Sequence, residues 1–293
     1  MLFACHGGAP PPSRIDPWRG ARPEFARQTA EFADRLLGES SGVAASRQHP
    51  GVLWTHNDSG NDPWLFATDT AGRAIGRWPV GQIRNRDWED IALGPCPAGT
   101  CLYIGDVGDN GERRRQVTLH RIPEPDPRLP GDTIHQVESL VVTYPDRPRD
   151  VEAIYVDDSG DSWLISKGRS EGVLRYRVSA SAWDAGATTA ELVDTLPIPW
   201  GIGSAHRVTG ASLSADGQVL VVRTYRELYR FDRLPGGGLA PGAGSNRCRI
   251  AGLEPQGEAV DWLDDRILVL TSERAGSKRG GVYLVACPWG TGR

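Results

Sequence analysis

The chain lacks any apolar run approaching the length needed to span a bilayer, so no helix is expected to cross a membrane. Its longest basic run is Arg113-Arg114-Arg115, and 33 Lys and Arg face 37 Asp and Glu, a net charge of −4. That balance argues against a nucleic-acid partner, and a solvated loop explains the arginine run as well as a phosphate grip does. The six His are too scattered for a His-based metal site. No Gly-x-Ser-x-Gly sits on a strand-to-helix turn, which leaves an elbow-type serine hydrolase without support. Methionine occurs once, at the first position. Gly (36) and Pro (22) are abundant instead, as suits a fold of many tight turns, and ten Trp supply large anchors between sheets.

One short phrase recurs five times: Ser40-Ser41-Gly42-Val43, Trp88-Glu89-Asp90-Ile91, Val151-Glu152-Ala153-Ile154, Val208-Thr209-Gly210-Ala211 and Gly257-Glu258-Ala259-Val260. Aligning Ser41, Glu89, Glu152, Thr209 and Glu258 gives steps of 48, 63, 57 and 49 residues. A repeat of this size made of short strands predicts an all-β, five-bladed β-propeller, with each phrase opening an innermost strand. Second strands follow, such as Val52-Leu53-Trp54-Thr55 and Ile267-Leu268-Val269-Leu270, then third strands such as Val173-Leu174-Arg175-Tyr176. Outer strands are expected at 74–80, 136–143, 191–196 and 246–250. The fifth blade runs out of chain after Trp289, so residues 26–32 are expected to supply its outer strand and close the ring. The composition of 26–37 also permits a helix; ring closure favours the strand.

Residues 1–24 read as a leader and tether, and 25–293 as one propeller domain. Leu2-Phe3-Ala4-Cys5 resembles a bacterial lipobox, followed by His6-Gly7-Gly8-Ala9-Pro10-Pro11-Pro12, a flexible and then stiff linker. The only membrane link expected is a lipid on Cys5. Of the other four cysteines, Cys96 and Cys101 flank a tight turn suited to a disulfide, and Cys248 and Cys287 lie on predicted outer strands of neighbouring blades. The alternative is four buried thiols. Paired cysteines imply export to the periplasm or cell surface. A monomer is expected.

The loops sort by face. Those joining strands two to three, and strand four to the next strand one, share a side and carry most reactive groups: 56–62, 84–87, 106–110, 146–150, 167–169, 223–226 and 272–274. Function is expected on that face. Ser41, Glu89, Glu152, Thr209 and Glu258 would converge on the axis beneath it. Three carboxylates in a partly dry tunnel repel one another unless a cation, basic residues or protons intervene. Because every donor is oxygen, calcium fits the set and zinc is disfavoured. A water-filled channel with the Glu paired to Arg86, Arg149 or Arg207 is the plain alternative.

Five blades with hydroxyl, Glu, Glu, hydroxyl, Glu around the axis resemble the calcium-activated nucleotidase (apyrase) family across residues 39–287. The close part is the inner-strand phrases alone. The resemblance implies a five-bladed propeller with one calcium in its central tunnel. Elsewhere, His56-Asn57-Asp58-Ser59-Gly60 followed by Leu65-Phe66-Ala67-Thr68-Asp69 is similar to uncharacterised exported bacterial propellers, some labelled esterase-like or phytase-like. A calcium-dependent hydrolase of phosphate-bearing small molecules would need cations for phosphate oxygens, for which Arg84, Arg86, Lys167, Arg169, Arg223 and Arg274 are candidates. It would need a base for water, for which Asp58 or Asp106 is available, with His56 as a rival. Two other readings use the same face: a glycoside hydrolase with Glu89, Glu152 and Glu258 as its carboxylates, and a non-catalytic ligand-binding propeller.

Overall fold

The computed structural model describes residues 22–201, 203–242 and 246–289. It is a five-bladed β-propeller with almost no helix. The inner strands are Ser40–Ala45, Trp88–Cys96, Val151–Val156, Val208–Leu213 and Gln256–Trp262, one per sheet. Each packs on the next, and the fifth on the first, which closes a ring about an axis. From each inner strand the chain meanders outward by antiparallel pairing, because short β-forming runs joined by tight turns pair most readily with their sequence neighbours.

The outer edge of the last blade is Phe25–Glu31, which pairs antiparallel with Gly281–Ala286. The segment is a strand, and the ring closes as ring geometry requires. Two details were not expected. The outer edge of the fourth blade is split, with Leu239–Pro241 and Arg247–Arg249 both pairing with Glu227–Arg233. The second blade gains a fifth strand, Ala187–Thr189, which runs parallel to Glu138–Thr143 and follows the four-residue helix Ala182–Ala185.

Five apolar clusters hold the sheets together, one in each gap between blades. Trp54, Trp78, Ile91 and Ile104 fill the first gap. Tyr103, Leu119, Ile154 and Tyr176 fill the second, and Tyr155, Leu220 and Phe231 the third. Leu228, Cys248, Val260 and Tyr283 fill the fourth, and Phe32, Val43, Phe66 and Val282 the gap between the last blade and the first. Strand alternation sends successive side chains to opposite faces of a sheet, so every blade has two buried faces. That is why the second strands read as unbroken apolar runs.

Disulfides join Cys96 to Cys101 and Cys248 to Cys287, with Cα separations of 5.9 and 5.8 Å. The first closes the hairpin between the inner two strands of the second blade. The second ties the outer edge of the fourth blade to the end of the fifth. Such bonds persist in oxidising surroundings, the periplasm or outside the cell. Among the described residues no helix is long and apolar enough to cross a membrane. Cys5 and the lipobox-like segment lie outside the described residues.

Loop-closure entropy separates the two bridges. The Cys248–Cys287 bridge spans 39 residues and the Cys96–Cys101 bridge five, which corresponds to about 4 and about 2 kcal/mol respectively. Chemical denaturation of the paired alanine variants is expected to show the larger loss for Cys248→Ala/Cys287→Ala; equal losses would contradict this assignment.

Candidate functional site

The five axial positions share one backbone feature. In every inner strand the pairing register skips one residue, and the skipped residues are Ser41, Glu89, Glu152, Thr209 and Glu258. A bulge of this kind frees one residue from the ladder and re-aims its side chain. All five are buried. A second set follows from register. The residue one past the partner of the pre-bulge position is Asp58, Val107, Lys167, Tyr225 and Glu273 in blades one to five. Four of these carry polar groups that interact electrostatically with the axial Glu residues.

The acidic groups converge on the side of blades two and three. Carboxylate oxygens of Asp58, Asp87 and Glu89 lie within 4.8 Å of one another, as do those of Glu89, Asp150 and Glu152. Glu89 belongs to both sets. The second set already has cations: Lys167 Nζ pairs with Glu152, and Arg169 pairs with Asp150 and donates to Asn110. The first set has no such partner among the described residues. Gly108 makes room for it. A Cβ at Gly108 would stand 2.0 Å from Glu89 Oε1 and 2.6 Å from Asp87 Oδ2, so only glycine permits the two carboxylates to sit where they do.

Proton affinities report the crowding. Burial first, then the charges of Glu152, Asp58 and Asp87, push Glu89 well above the usual carboxylate range. Glu152 is raised by burial against the opposing pull of Lys167. Burial lifts Glu258 to about 7 and, with Asp58 beside it, Asp87 to about 6. Glu273 is pushed to about 9 by burial and Glu258, and Gln256 Nε2 donates to both, at 3.0 Å to Glu258 and 2.6 Å to Glu273. Burial works against the Lys167 ammonium, but Glu152, Asp150 and Glu89 outweigh it and hold it charged.

The two axial hydroxyls behave differently. Ser41 Oγ donates to the Glu89 carbonyl at 2.8 Å, which links blade one to blade two. Thr209 Oγ1 is buried without a hydrogen-bond partner among the described residues. Beneath the ring, Asp90 Oδ2 accepts the amides of Ile154 at 3.0 Å and Ala211 at 3.3 Å, and Oδ1 that of Ile91 at 2.9 Å. One carboxylate thereby ties the inner strands of three blades. Asp261 does the same on the other side, accepting from Ala45 N at 2.6 Å and from Ser212 Oγ.

Three of the expected site residues are engaged elsewhere. His56 is fully buried in the first gap, with its ring 5.5 Å from that of Trp88, and burial lowers its pKa to about 4. A neutral, enclosed imidazole there serves packing and does not meet solvent water. Asp106 is buried and paired with Arg114 at 2.7 Å. Arg223 is 1% exposed, pairs with Glu254 and donates to the Ala259 carbonyl at 2.5 Å, so it fills the gap between blades four and five. Lys167 and Arg169 are at the site but neutralise its own carboxylates. Arg84, Arg86 and Arg274 remain exposed. Gly38-Glu39-Ser40-Ser41-Gly42 spells an elbow motif, yet it enters a strand, and Ser40 Oγ is buried against Thr271 Oγ1 at 2.8 Å.

Asp87, Asp150, Gly108 and Glu273 were not singled out as site residues. A signal for two of them was present: Asp87 and Asp150 each stand two residues before an axial Glu, and Glu39 holds the same place before Ser41. Nothing in the sequence marked Gly108, because its role is the space it leaves.

The raised carboxylates set a pH dependence. Glu258 titrates near 4.5 in the unfolded chain and about 7 in the fold, and Asp87 near 3.8 and about 6. A pKa raised by folding contributes stability below the unfolded value, and this contribution declines as pH climbs to the folded value. In chelator, the unfolding midpoint is therefore expected to fall between about pH 4 and pH 7. Thermal denaturation across that range checks it, and a midpoint that rises would contradict it. Gly108→Ala is expected to displace Glu89 or Asp87 and cost about 1–3 kcal/mol, read in the same denaturation experiment.

No protein-family model matches the sequence, and no curated protein does. Solved structures similar to the chain include the PQQ-bound form of aldose sugar dehydrogenase from Streptomyces coelicolor, at 14% identity and a TM-score of 0.51 over 91% of this chain and 99% of that one. They also include virginiamycin B lyase from Staphylococcus aureus, at 10% identity and a TM-score of 0.42 over 88% and 73% of the two chains. A streptogramin B lyase follows at 12% identity and a TM-score of 0.47 over 89% and 97%. At these identities the likeness is one of fold and carries no activity across. The apyrase resemblance is not found among these neighbours and rests on the inner-strand phrases. What the comparison and the strand order together establish is the propeller architecture.

Proposed function

We propose that this is an exported propeller that binds calcium at Asp58, Asp87 and Glu89, and that hydrolyses a phosphate-bearing small molecule on the same face. The observation that supports it is the gathering of those three carboxylates within 4.8 Å, none of them in an ion pair among the described residues and with Gly108 leaving them room. Oxygen-only donors suit a hard cation, and calcium tolerates irregular geometry of this kind. When bound, the ion supplies Lewis-acid polarisation of a phosphoryl oxygen.

The protein groups divide the remaining work. Asp58, whose pKa is raised by burial, would hold the ion through one carboxylate oxygen and orient the attacking water with the other. Arg84 and Arg86, exposed on the connection that leads into Asp87, hold phosphate oxygens as planar forks. Lys167 stays locked on Glu152 and keeps that part of the ring neutral. Thr209 offers a hydroxyl with no internal partner among the described residues.

A second reading is favoured by Glu258, held near 7 beside a more strongly raised Glu273. A carboxylic acid of that strength suits proton donation to a glycosidic oxygen. The two readings differ in their need for metal.

Calorimetric titration with calcium is expected to give saturable binding that weakens as pH falls through about 6, where Asp87 takes its proton. Glu89→Gln should lower the affinity by at least about 100-fold, because it removes a charge shared by both carboxylate sets. Hydrolysis of nucleoside di- and triphosphates should require calcium and stop in chelator. Absence of calcium binding, or cleavage of an uncharged oligosaccharide that persists in chelator, would overturn the phosphate reading in favour of acid–base chemistry.

A further inference from the structure

A pocket opens on the reactive face between the fifth blade and the segment that leads into the first. It is a cleft of about 410 Å³ lined by Phe32, Arg35, Leu37, Gly38, Arg274, Arg279 and Gly280. One wall is the segment that leaves the closing strand towards the first blade. The other is the loop between the second and third strands of the fifth blade. Both connections belong to the reactive face, and Arg274 directly follows Glu273.

The walls are fixed to each other. Arg274 N donates to the Gly38 carbonyl at 2.9 Å, and Phe32 N to the Gly280 carbonyl at 3.1 Å. Arg279 Nη2 donates to the Phe32 carbonyl at 2.5 Å. Phe32 and Leu37 are buried and form an apolar floor. The space therefore belongs to the folded state and does not require a loop to move.

The cleft gathers three arginines without a close acid. The buried arginines of the fold are matched with acids: Arg114 with Asp106, Arg149 with Asp146 and Glu171, Arg175 with Asp194, Arg223 with Glu254. In the cleft, Arg35 and Arg274 are exposed and have no ion-pair partner among the described residues, and Arg279 has only Glu31 at 3.9 Å. Three guanidinium groups face one cavity with one distant acid between them. A single carboxylate accepts one bidentate fork, whereas a phosphate or diphosphate has oxygens for several.

From this geometry we infer that the cleft formed by Arg35, Arg274 and Arg279 is an anion-binding site for the phosphate group of a small organic molecule. A cavity of this volume takes a small molecule's phosphate end together with an apolar portion set against Phe32 and Leu37. The site stands apart from the proposed cation site and does not require it.

The test is calorimetric titration of the full chain with inorganic pyrophosphate in chelator, at low and at high salt. The expected result is saturable one-to-one binding that weakens with salt and falls by about tenfold or more in Arg35→Ala/Arg274→Ala, with the corresponding lysine pair intermediate. Arg73→Ala and Arg128→Ala, exposed arginines outside the cleft and outside the carboxylate site, should leave it unchanged. Both cleft arginines are exposed, so the double variant is expected to keep its unfolding midpoint; if it does not, Arg35→Ala alone carries the comparison. Any of three results would overturn the inference: no saturable binding, binding unaffected by the Arg35 and Arg274 changes, or competition by acetate as effective as that by phosphate. Pyrophosphate binding by the native protein in chelator, together with no calcium binding and no hydrolysis of nucleoside di- and triphosphates when calcium is supplied, would support the cleft while rejecting the hydrolase reading.

Discussion

Each inner strand gives up one position of its hydrogen-bond ladder, and the rest of the site depends on that surrender. Ser41, Glu89, Glu152, Thr209 and Glu258 are the unpaired residues of five equivalent bulges. A regular strand would send its side chains only into the two flanking gaps, where apolar clusters already fill the space. The bulge provides a third direction, towards the axis. Repeating it five times sets five oxygen-bearing residues at equivalent, unpaired places in the ladder.

The ring creates a problem of like charge that the fold solves unevenly. Around Glu152 the solution is internal, since Lys167 and Arg169 pair with the two nearest carboxylates. Glu89 forms no ion pair among the described residues, although Lys167 attracts it from a distance, and burial together with neighbouring carboxylates raises the proton affinities of Glu89 and Asp87. Glu258 and Glu273 share Gln256 as a neutral donor. Below the ring, Asp90 takes amides from three blades, so the layer that supports the site is itself polar and directional. Such a layer fixes the rotation of one blade against another more sharply than apolar packing does. The same face then carries two chemically opposite features, an acidic cluster and an arginine cleft.

Much of this was legible in the residues. The five recurring phrases revealed blade number and spacing because the bulge constrains side-chain type at its own position and backbone size next to it. Gly42, for example, faces the Ile91 amide of the next blade at 2.6 Å from where a Cβ would stand. The closing strand was legible from the shortage of chain at the other end. The Cys96–Cys101 pair was legible from its hairpin turn, whereas the Cys248–Cys287 pair needed the two outer segments to be seen side by side. The six basic residues assigned to phosphate were not separable in the sequence. Arg223 and Arg84 look alike as letters, yet one is enclosed beside Glu254 and the other meets solvent. His56 and Asp106 likewise lie on reactive loops or strand ends, and only packing shows that Trp88 and Arg114 occupy them.

The sequence by itself determined the all-β class and the fivefold repeat, because these follow from periodicity and strand alternation, which are local rules. Which charges meet was decided only by the tertiary structure. Asp87, Glu89 and Asp58 come from different loops and strands, Gly108 matters through the volume it leaves empty, and Arg35 joins Arg274 across more than two hundred residues of chain. Electrostatic energy depends on distance and on the water excluded between charges, and neither quantity exists until the ring has closed.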